Sequence, residues 1–285
     1  MHNKTTEQIK ISFIGGGNMA TALIGGLCEM GKEAGSNAIC RSGDIHVVDV
    51  NAQSLSNLHS RFGVTTSLQI DAQVSAADVI LLSVKPQQMR EVADLLAPHI
   101  KEQLVLSIAA GILIGDLSRW LNNHAAIVRT MPNMPALINR GMTGMVASGG
   151  VSEQQKAQAE AIMRAVGQTM WLEEEAMLDP LTAVSGSGPA YVFYFIEAMQ
   201  KAAEEMGFTA DQARQLAMAT FQGAAQLAGE SEESAATLRE RVTSKGGTTY
   251  AALTSMEHSG VGEAIVKALK AAAVRSKELG DEFGK

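Results

Sequence analysis

The sequence predicts an α/β fold, a doubly wound parallel sheet followed by an all-helical second domain, and three observations predict it. Short apolar runs alternate with helix-compatible segments as far as Leu172, the order that lays parallel strands side by side with helices over both faces. The first run stops at a triple glycine, Gly15 to Gly17, and an amphipathic pattern follows at once. Beyond Leu172 helical spacing takes over and strand patterns are no longer evident. Domains are therefore expected at 1–172 and 173–285, sizes that can each bury a core without disulfides or metal.

The elements follow in order. Residues 9–14 form an apolar strand that ends in the glycines, and Ala20, Leu23, Ile24 and Leu27 then recur at helical spacing. Further buried strands are expected at 45–50, 79–84, 105–108 and 127–129, with helices at 87–96 and 114–121. In the second domain Pro189, expected at the first helical position, starts a helix with the stripe Val192, Phe195, Ile196, Met199 and Ala203. Thr209 and Gln212 make a capping box that opens another, with the stripe Leu216, Thr220, Ala224 and Leu227. Tyr191, Phe193 and Tyr194 lie off the first stripe, so that helix is apolar nearly all round. In a small domain a partner subunit can cover the extra face, with burial inside a monomer as the alternative.

Composition narrows the class. Hydrophobic residues make up 46% and charged residues 19%, a globular balance, and the net charge of -7 argues against nucleic acid or an acidic membrane as partner. The first ten residues are polar and no window approaches the ~20 apolar residues of a membrane span. Cys28 and Cys40 form no redox or metal-like pair, which fits a reducing cytoplasm, and the six histidines show no zinc spacing, so no metal is expected.

The chemistry starts at Gly15. Gly15, Gly17 and Ala20, with Asn18 and Met19 between them, spell Gly-x-Gly-x-x-Ala between a strand and a helix. In a Rossmann-type sheet the first glycine permits the turn, the second lets a pyrophosphate approach the backbone, and the alanine lets helix pack on strand. Asp49 closes the second strand, where an acidic side chain accepts from the adenosine ribose and repels a 2'-phosphate. Asn51 and Ser54 just beyond could still receive a phosphate, so NADPH and NADH both stay open; a surface turn is the plain alternative. Val84, Lys85 and Pro86 end the next strand, where Lys85 is either a ribose and phosphate neighbour or a solvated charge. Ala109 and Ala110, in the small-residue run 107–111, would let a flat nicotinamide ring lie close to the backbone. Asn133, between two prolines, could hold a carboxamide or orient a loop.

Two loops of the second domain, 185–191 and 242–249, carry hydroxyls and glycines into helix starts. Such N-termini bind carboxylates, the dipole contributing ~0.3 to 1 kcal/mol and up to ~2 when partly buried. Simple capping is the alternative, but two glycines followed by two threonines exceed what a cap requires.

Together, residues 15–20, 84–86, 107–111, 131–136, 185–191 and 242–249 resemble pyrroline-5-carboxylate reductase over nearly the whole chain. The resemblance implies a Rossmann domain, a helical dimerisation domain, NAD(P)H-dependent reduction of the cyclic imine 1-pyrroline-5-carboxylate to L-proline, and an active site shared between subunits. It also implies that a loop whose members here are Ser244, Gly246, Gly247 and Thr249 holds the substrate carboxylate; we expect Thr248 to join that substrate-binding set and the Thr249 hydroxyl to be catalytic by bonding the ring nitrogen. Two departures stand out. Asp49 and Val50 occupy a position where the family often has an Asn-Arg pair, and Lys245 stands where it commonly has proline. Imine reduction needs a hydride donor, a fixed substrate face and a proton or hydrogen bond at nitrogen, so the lack of a catalytic His or carboxylate motif is expected. The rival readings are a hydroxyacid dehydrogenase of the 6-phosphogluconate type and a dinucleotide-binding protein without catalysis. The first resembles a scheme with a lysine on the first interdomain helix, and residues 185–199 contain none. The intact substrate loop argues against the second.

Overall fold

The computed structural model describes residues 8–35 and 38–284. Its strands are β1 (Ile11–Ile14), β2 (Ile45–Val48), β3 (Thr65–Ser67), β4 (Val79–Leu82), β5 (Leu104–Ser107), β6 (Ile127–Met131), β7 (Gly141–Ala147) and β8 (Gly167–Trp171). They form one sheet in the order β3-β2-β1-β4-β5-β6-β7-β8, parallel except where β7 runs against β6.

The α-helices among the described residues are α1 (Asn18–Ala34), α2 (Ala52–Phe62), α3 (Ala72–Ser75), α4 (Met89–Leu96), α5 (Ile114–Trp120), α6 (Glu153–Arg164) and α7 (Leu178–Leu181), then α8 (Gly188–Glu205), α9 (Ala210–Glu230), α10 (Ala235–Arg241), α11 (Thr248–His258) and α12 (Val261–Phe283).

Alternation along the strands explains the two-sided core. Val79 and Leu81 of β4 pack on one face with Ala20, Leu23, Ile24 and Leu27 of α1, while Ile80 and Leu82 pack on the other with Met89, Ala93 and Leu96 of α4. Successive strand side chains point to opposite faces, so a strand covered on both reads as an unbroken apolar run. All five expected strands are buried along nearly their whole length, though only β4 is apolar throughout, Ser12, His46, Ser107 and Arg129 being buried polar members of the others, and three are shorter than expected.

Strands β3, β7 and β8 were not expected. β8 alternates half-buried and exposed residues at the sheet edge, and β3 is a polar Thr-Thr-Ser segment. Neither offers a continuous apolar run. β7 is largely buried but interrupted by glycine and threonine, and its antiparallel pairing makes the sheet mixed rather than wholly parallel. The helix expected at 87–96 opens as a 3-10 turn, Pro86–Gln88, before α4 begins.

The chain divides into a sheet unit, which runs to Gly186 and takes back the chain from Ala272, and a helical unit, Ser187–Ala271. The expected domains 1–172 and 173–285 differ from these units at 173–186 and 272–284. The physical reason is local packing: Ser276 donates to Asp179 (2.7 Å), Arg119 donates to the Gly284 carbonyl, and Phe283 joins the core beneath α4 and α5.

Within the helical unit α8 packs on α9. Pro189 is the second residue of α8 rather than the first, because Gly188 opens the helix after a Ser187 cap. The expected capping box at α9 is present, Gln212 N–H donating to Thr209 Oγ1 and Thr209 N–H to Gln212 Oε1. Of the α8 stripe, Ile196 and Ala203 are buried within the chain, whereas Val192 and Met199 stay exposed. α9 buries Ala213 and Ala217 and leaves Leu216 and Leu227 exposed.

Candidate active site

β1 lies between β2 and β4, and the connections leave in opposite directions from it. This is the switch point of a doubly wound sheet, where ligands meet the carboxyl ends of the strands. A cleft of about 570 Å³ opens there, with Gly15, Gly17, Asp49, Val84 and Lys85 in its lining. A larger groove of about 780 Å³ lies beside α6 and β8 and contains none of the expected site residues.

The glycine loop is built from both neighbours of β1. Gly15 has φ +105°, donates its N–H to the Val48 carbonyl (2.8 Å), and comes so close to Ser83 that a Cβ would lie 2.8 Å from the Ser83 carbonyl carbon. Only glycine serves there. Gly16 is clamped at both ends: its N–H donates to Asp49 Oδ2 (2.6 Å), and its carbonyl accepts from the Ser54 hydroxyl (2.8 Å).

Gly17 caps α1 without a side-chain hydrogen bond, and a Cβ added there would meet no protein atom within 4 Å. Nothing in the chain fills the space beside it, and that space borders the switch-point cleft. An uncapped helix start facing such room suits a pyrophosphate. Asn18 and Met19 form the first turn of α1, and Ala20 is fully buried against the sheet.

Asp49 accepts a second hydrogen bond from Asn51 N–H (2.8 Å). The Asn51 side chain caps α2 by accepting from Ser54 N–H (3.1 Å). Lys85 is exposed and precedes the Pro86 turn. Leu68 and Leu95, exposed at 58% and 61%, add apolar wall to the cleft. The sequence reading missed them because neither sits in an apolar run or on a helix stripe; Leu95 is the outward member of a Leu-Leu pair whose other member is buried.

Ala109, Ala110 and Asn133 lie beyond this lining, at the ends of β5 and β6 along the same strand edge. Ala109 is buried, its N–H donating to Ser107 Oγ (3.3 Å), and Gly111 turns at φ +77° against Gly280. The Asn133 amide is occupied at both ends, donating to Ser185 O and Oγ (3.2 and 3.1 Å) and accepting from Met142 N–H (2.9 Å). Of its two expected roles, the geometry is that of orienting a loop. Beneath these loops Arg129, 4% exposed, pairs with Glu175 (2.9 Å), which also accepts from Ile114 N–H at the start of α5.

In the helical unit Ser244, Gly246, Gly247, Thr248 and Thr249 come together in one turn. Gly247 N–H donates to the Ser244 carbonyl (3.0 Å), Gly246 supplies φ +71°, and Gly247 starts α11 with no side-chain cap. A Cβ on Gly247 would run into the Ser244 hydroxyl, whereas one on Gly246 would meet no atom within 4 Å, so a hydroxyl and the first N–H groups of α11 lie together beside Gly247. Thr249 is half-exposed in that first turn. A helix start of this kind suits a carboxylate, with a hydroxyl beside it.

A pyrroline-5-carboxylate reductase of Pseudomonas aeruginosa is 44% identical to this chain over 276 residues, covering 96% of this chain and 98% of that protein. The chain belongs to the pyrroline-5-carboxylate reductase family. The Escherichia coli K12 reductase is 36% identical over 271 residues, covering 95% and 98%. The solved reductase of Coxiella burnetii superposes with a TM-score of 0.88 at 39% identity, covering 96% and 99%. That of Plasmodium falciparum, solved with NADP bound, gives 0.84 at 26%, covering 96% and 99%. The family model described as pyrroline-5-carboxylate reductase dimerisation matches residues 175–279, and one described as NADP oxidoreductase, coenzyme F420-dependent, matches 10–111. Membership of the reductase family sets aside the hydroxyacid dehydrogenase reading. Among the described residues no helix is long and apolar enough to cross a membrane, and no cluster of three or more His, Cys, Asp or Glu side chains could hold a metal.

Proposed function

We propose the following division of labour for the reaction this family membership assigns, the NAD(P)H-dependent reduction of 1-pyrroline-5-carboxylate to L-proline. The observation that carries it is near-full-length kinship with the reductases combined with two open helix starts, Gly17 at α1 and Gly247 at α11, neither capped by a side chain. The dinucleotide, when bound, supplies the hydride. Gly15, Gly17, Asn18, Met19 and Ala20 hold its pyrophosphate on the open start of α1, and Asp49 and Asn51 border the adenosine. Val84, Lys85 and Pro86 border the cleft on its β4 side, and Ala109 and Ala110 offer a flat surface kept in shape by Asn133.

Ser244, Gly246, Gly247 and Thr248 anchor the substrate carboxylate at α11. The Thr249 hydroxyl bonds the ring nitrogen and fixes the face presented for reduction. Orientation alone can lower a barrier by ~7 to 11 kcal/mol, so a site of backbone N–H groups and hydroxyls suffices without a strong base.

A second copy of the chain is the partner that the helical unit calls for. Phe193, Tyr194, Leu216 and Leu227 are exposed at 55%, 72%, 48% and 59% in the single chain, on the segment matched by the dimerisation model. An apolar surface of this kind marks an interface. No nucleic-acid partner is proposed, given the net charge of -7. A cytoplasmic setting accords with two unpaired cysteines, both buried, with burial pushing the Cys40 thiol up to about 12.

The deciding assay follows oxidation of NADH and of NADPH with pyrroline-5-carboxylate, with proline identified as product. Turnover with either coenzyme is expected. Coenzyme binding without turnover would instead favour the non-catalytic reading.

A further inference from the structure

We propose that the end of β2 makes this reductase prefer NADH to NADPH, with Asp49 as the determinant; the proposal rests on the dinucleotide reading of the cleft. The two coenzymes differ only at the 2' position of the adenosine ribose, a hydroxyl in one and a phosphate of roughly -1.5 to -2 charge in the other. In a doubly wound sheet that position meets the end of the second strand. What this chain places there decides which is accepted.

Asp49 is fixed in place. Its Oδ2 accepts from Gly16 N–H at 2.6 Å and its Oδ1 from Asn51 N–H at 2.8 Å, so turning away would strip two backbone donors of their acceptor, one of them inside the glycine loop. Each carboxylate oxygen keeps a further lone pair for a ribose hydroxyl. A phosphate would bring like charge against a carboxylate that is unable to withdraw.

Among the described residues that line the cleft no cationic side chain adjoins Asp49 to offset that repulsion, and the Asn51 amide is a neutral donor. Val50, 88% exposed, projects at the mouth with neither charge nor hydrogen-bond donor. Asn51 Oδ1 is spent on Ser54 N–H, and the Ser54 hydroxyl donates to the Gly16 carbonyl. Among the described residues that line the cleft, the basic side chains are Lys85 and His99. Lys85 follows β4, two strands from β2 across β1, a separation of roughly 10 Å at the usual strand spacing. His99 is tied through Nδ1 to the Ser75 hydroxyl (3.1 Å).

Calorimetric titration of the full-length protein with NADH and with NADPH, without substrate, tests this apart from turnover. NADH is expected to bind at least roughly tenfold more tightly, with the ratio shrinking as salt rises because the repulsion lies at a solvent-open mouth. In Asp49→Asn the ratio of the two dissociation constants should fall to within about threefold; a ratio is read because damage to the glycine loop weakens both coenzymes alike. Val50→Arg, a change at an exposed position, should tighten NADPH by about fivefold or more and leave NADH nearly unchanged. NADPH binding as tightly as NADH, or a Val50→Arg variant with unaltered NADPH affinity, overturns the preference while leaving the dinucleotide reading in place. Failure of both coenzymes to bind overturns the two together.

Discussion

Ser83, at the end of β4, closes over Gly15: its hydroxyl donates to the Gly15 carbonyl at 2.7 Å, and a Cβ on Gly15 would strike the Ser83 carbonyl group. The two strands flanking the switch point are pinned together through a residue with no side chain. Gly17, two residues on, has open space where its Cβ would be. The two glycines should therefore fail differently. Gly15→Ala, strained in φ and in contact, should lose about 1–3 kcal/mol or more of stability. Gly17→Ala should melt near the wild-type temperature yet bind NADH and NADPH at least roughly tenfold more weakly, because its methyl takes the room a pyrophosphate needs. Thermal melts paired with titrations separate the cases, and equal coenzyme affinity in Gly17→Ala would remove Gly17 from the site.

Thr249→Ala should lower kcat/KM by at least tenfold, about 1.4 kcal/mol of transition-state stabilisation. Thr249→Ser keeps the hydroxyl and should recover most of that loss. Steady-state kinetics on the three proteins decide, and unchanged kinetics in the alanine variant would exclude the hydroxyl from the reaction.

Glu175 is the counter-ion of buried Arg129 and the acceptor for the first N–H of α5. Removing it as Glu175→Ala leaves a guanidinium in the core. The expected cost lies toward the low end of the roughly 3–5 kcal/mol for breaking a buried pair, since the glutamate side chain is 27% exposed. Denaturant midpoints measure it, and a loss below about 1 kcal/mol, the value of an exposed pair, would contradict this account.

His46, 4% exposed on β2, has Nδ1 against the Thr65 hydroxyl (2.9 Å) and Nε2 3.4 Å from Asp71. Burial holds its pKa below the ordinary 6.5, with Asp71 opposing in part. The native state thus prefers the neutral ring. Its contribution to stability is present above pH 6.5 and is lost as pH falls through the depressed native value. His46→Gln lacks that loss, so the stability gap between wild type and variant should narrow between about pH 7 and about pH 5. Chemical denaturation at both values tests it; a constant or widening gap would show that the native ring titrates as the unfolded one does.

Much of the sheet was legible in the sequence because its central strands are covered on both faces. Residues 79–82 and 104–106 are apolar without interruption, and α1 carries its buried stripe at regular spacing. The glycine motif was legible for a different reason, since turn geometry and close approach exclude any side chain at Gly15. Strands β3 and β8 were not legible because edge positions do not demand apolar residues, and β7 was not because glycine and threonine interrupt its buried run.

The sequence by itself determined the class of fold, the glycine loop, the helical second half and the glycine-rich turn before Thr249, because each depends on residues near one another along the chain. Tertiary structure alone decided what the isolated polar residues do. Asp49 serves Gly16 across 33 residues, Asn133 serves Ser185 across 52, and Glu175 serves Ile114 across 61. A hydrogen bond forms with whatever group the fold brings within reach, and a single chain's spacing carries no record of that partner until the strands have paired.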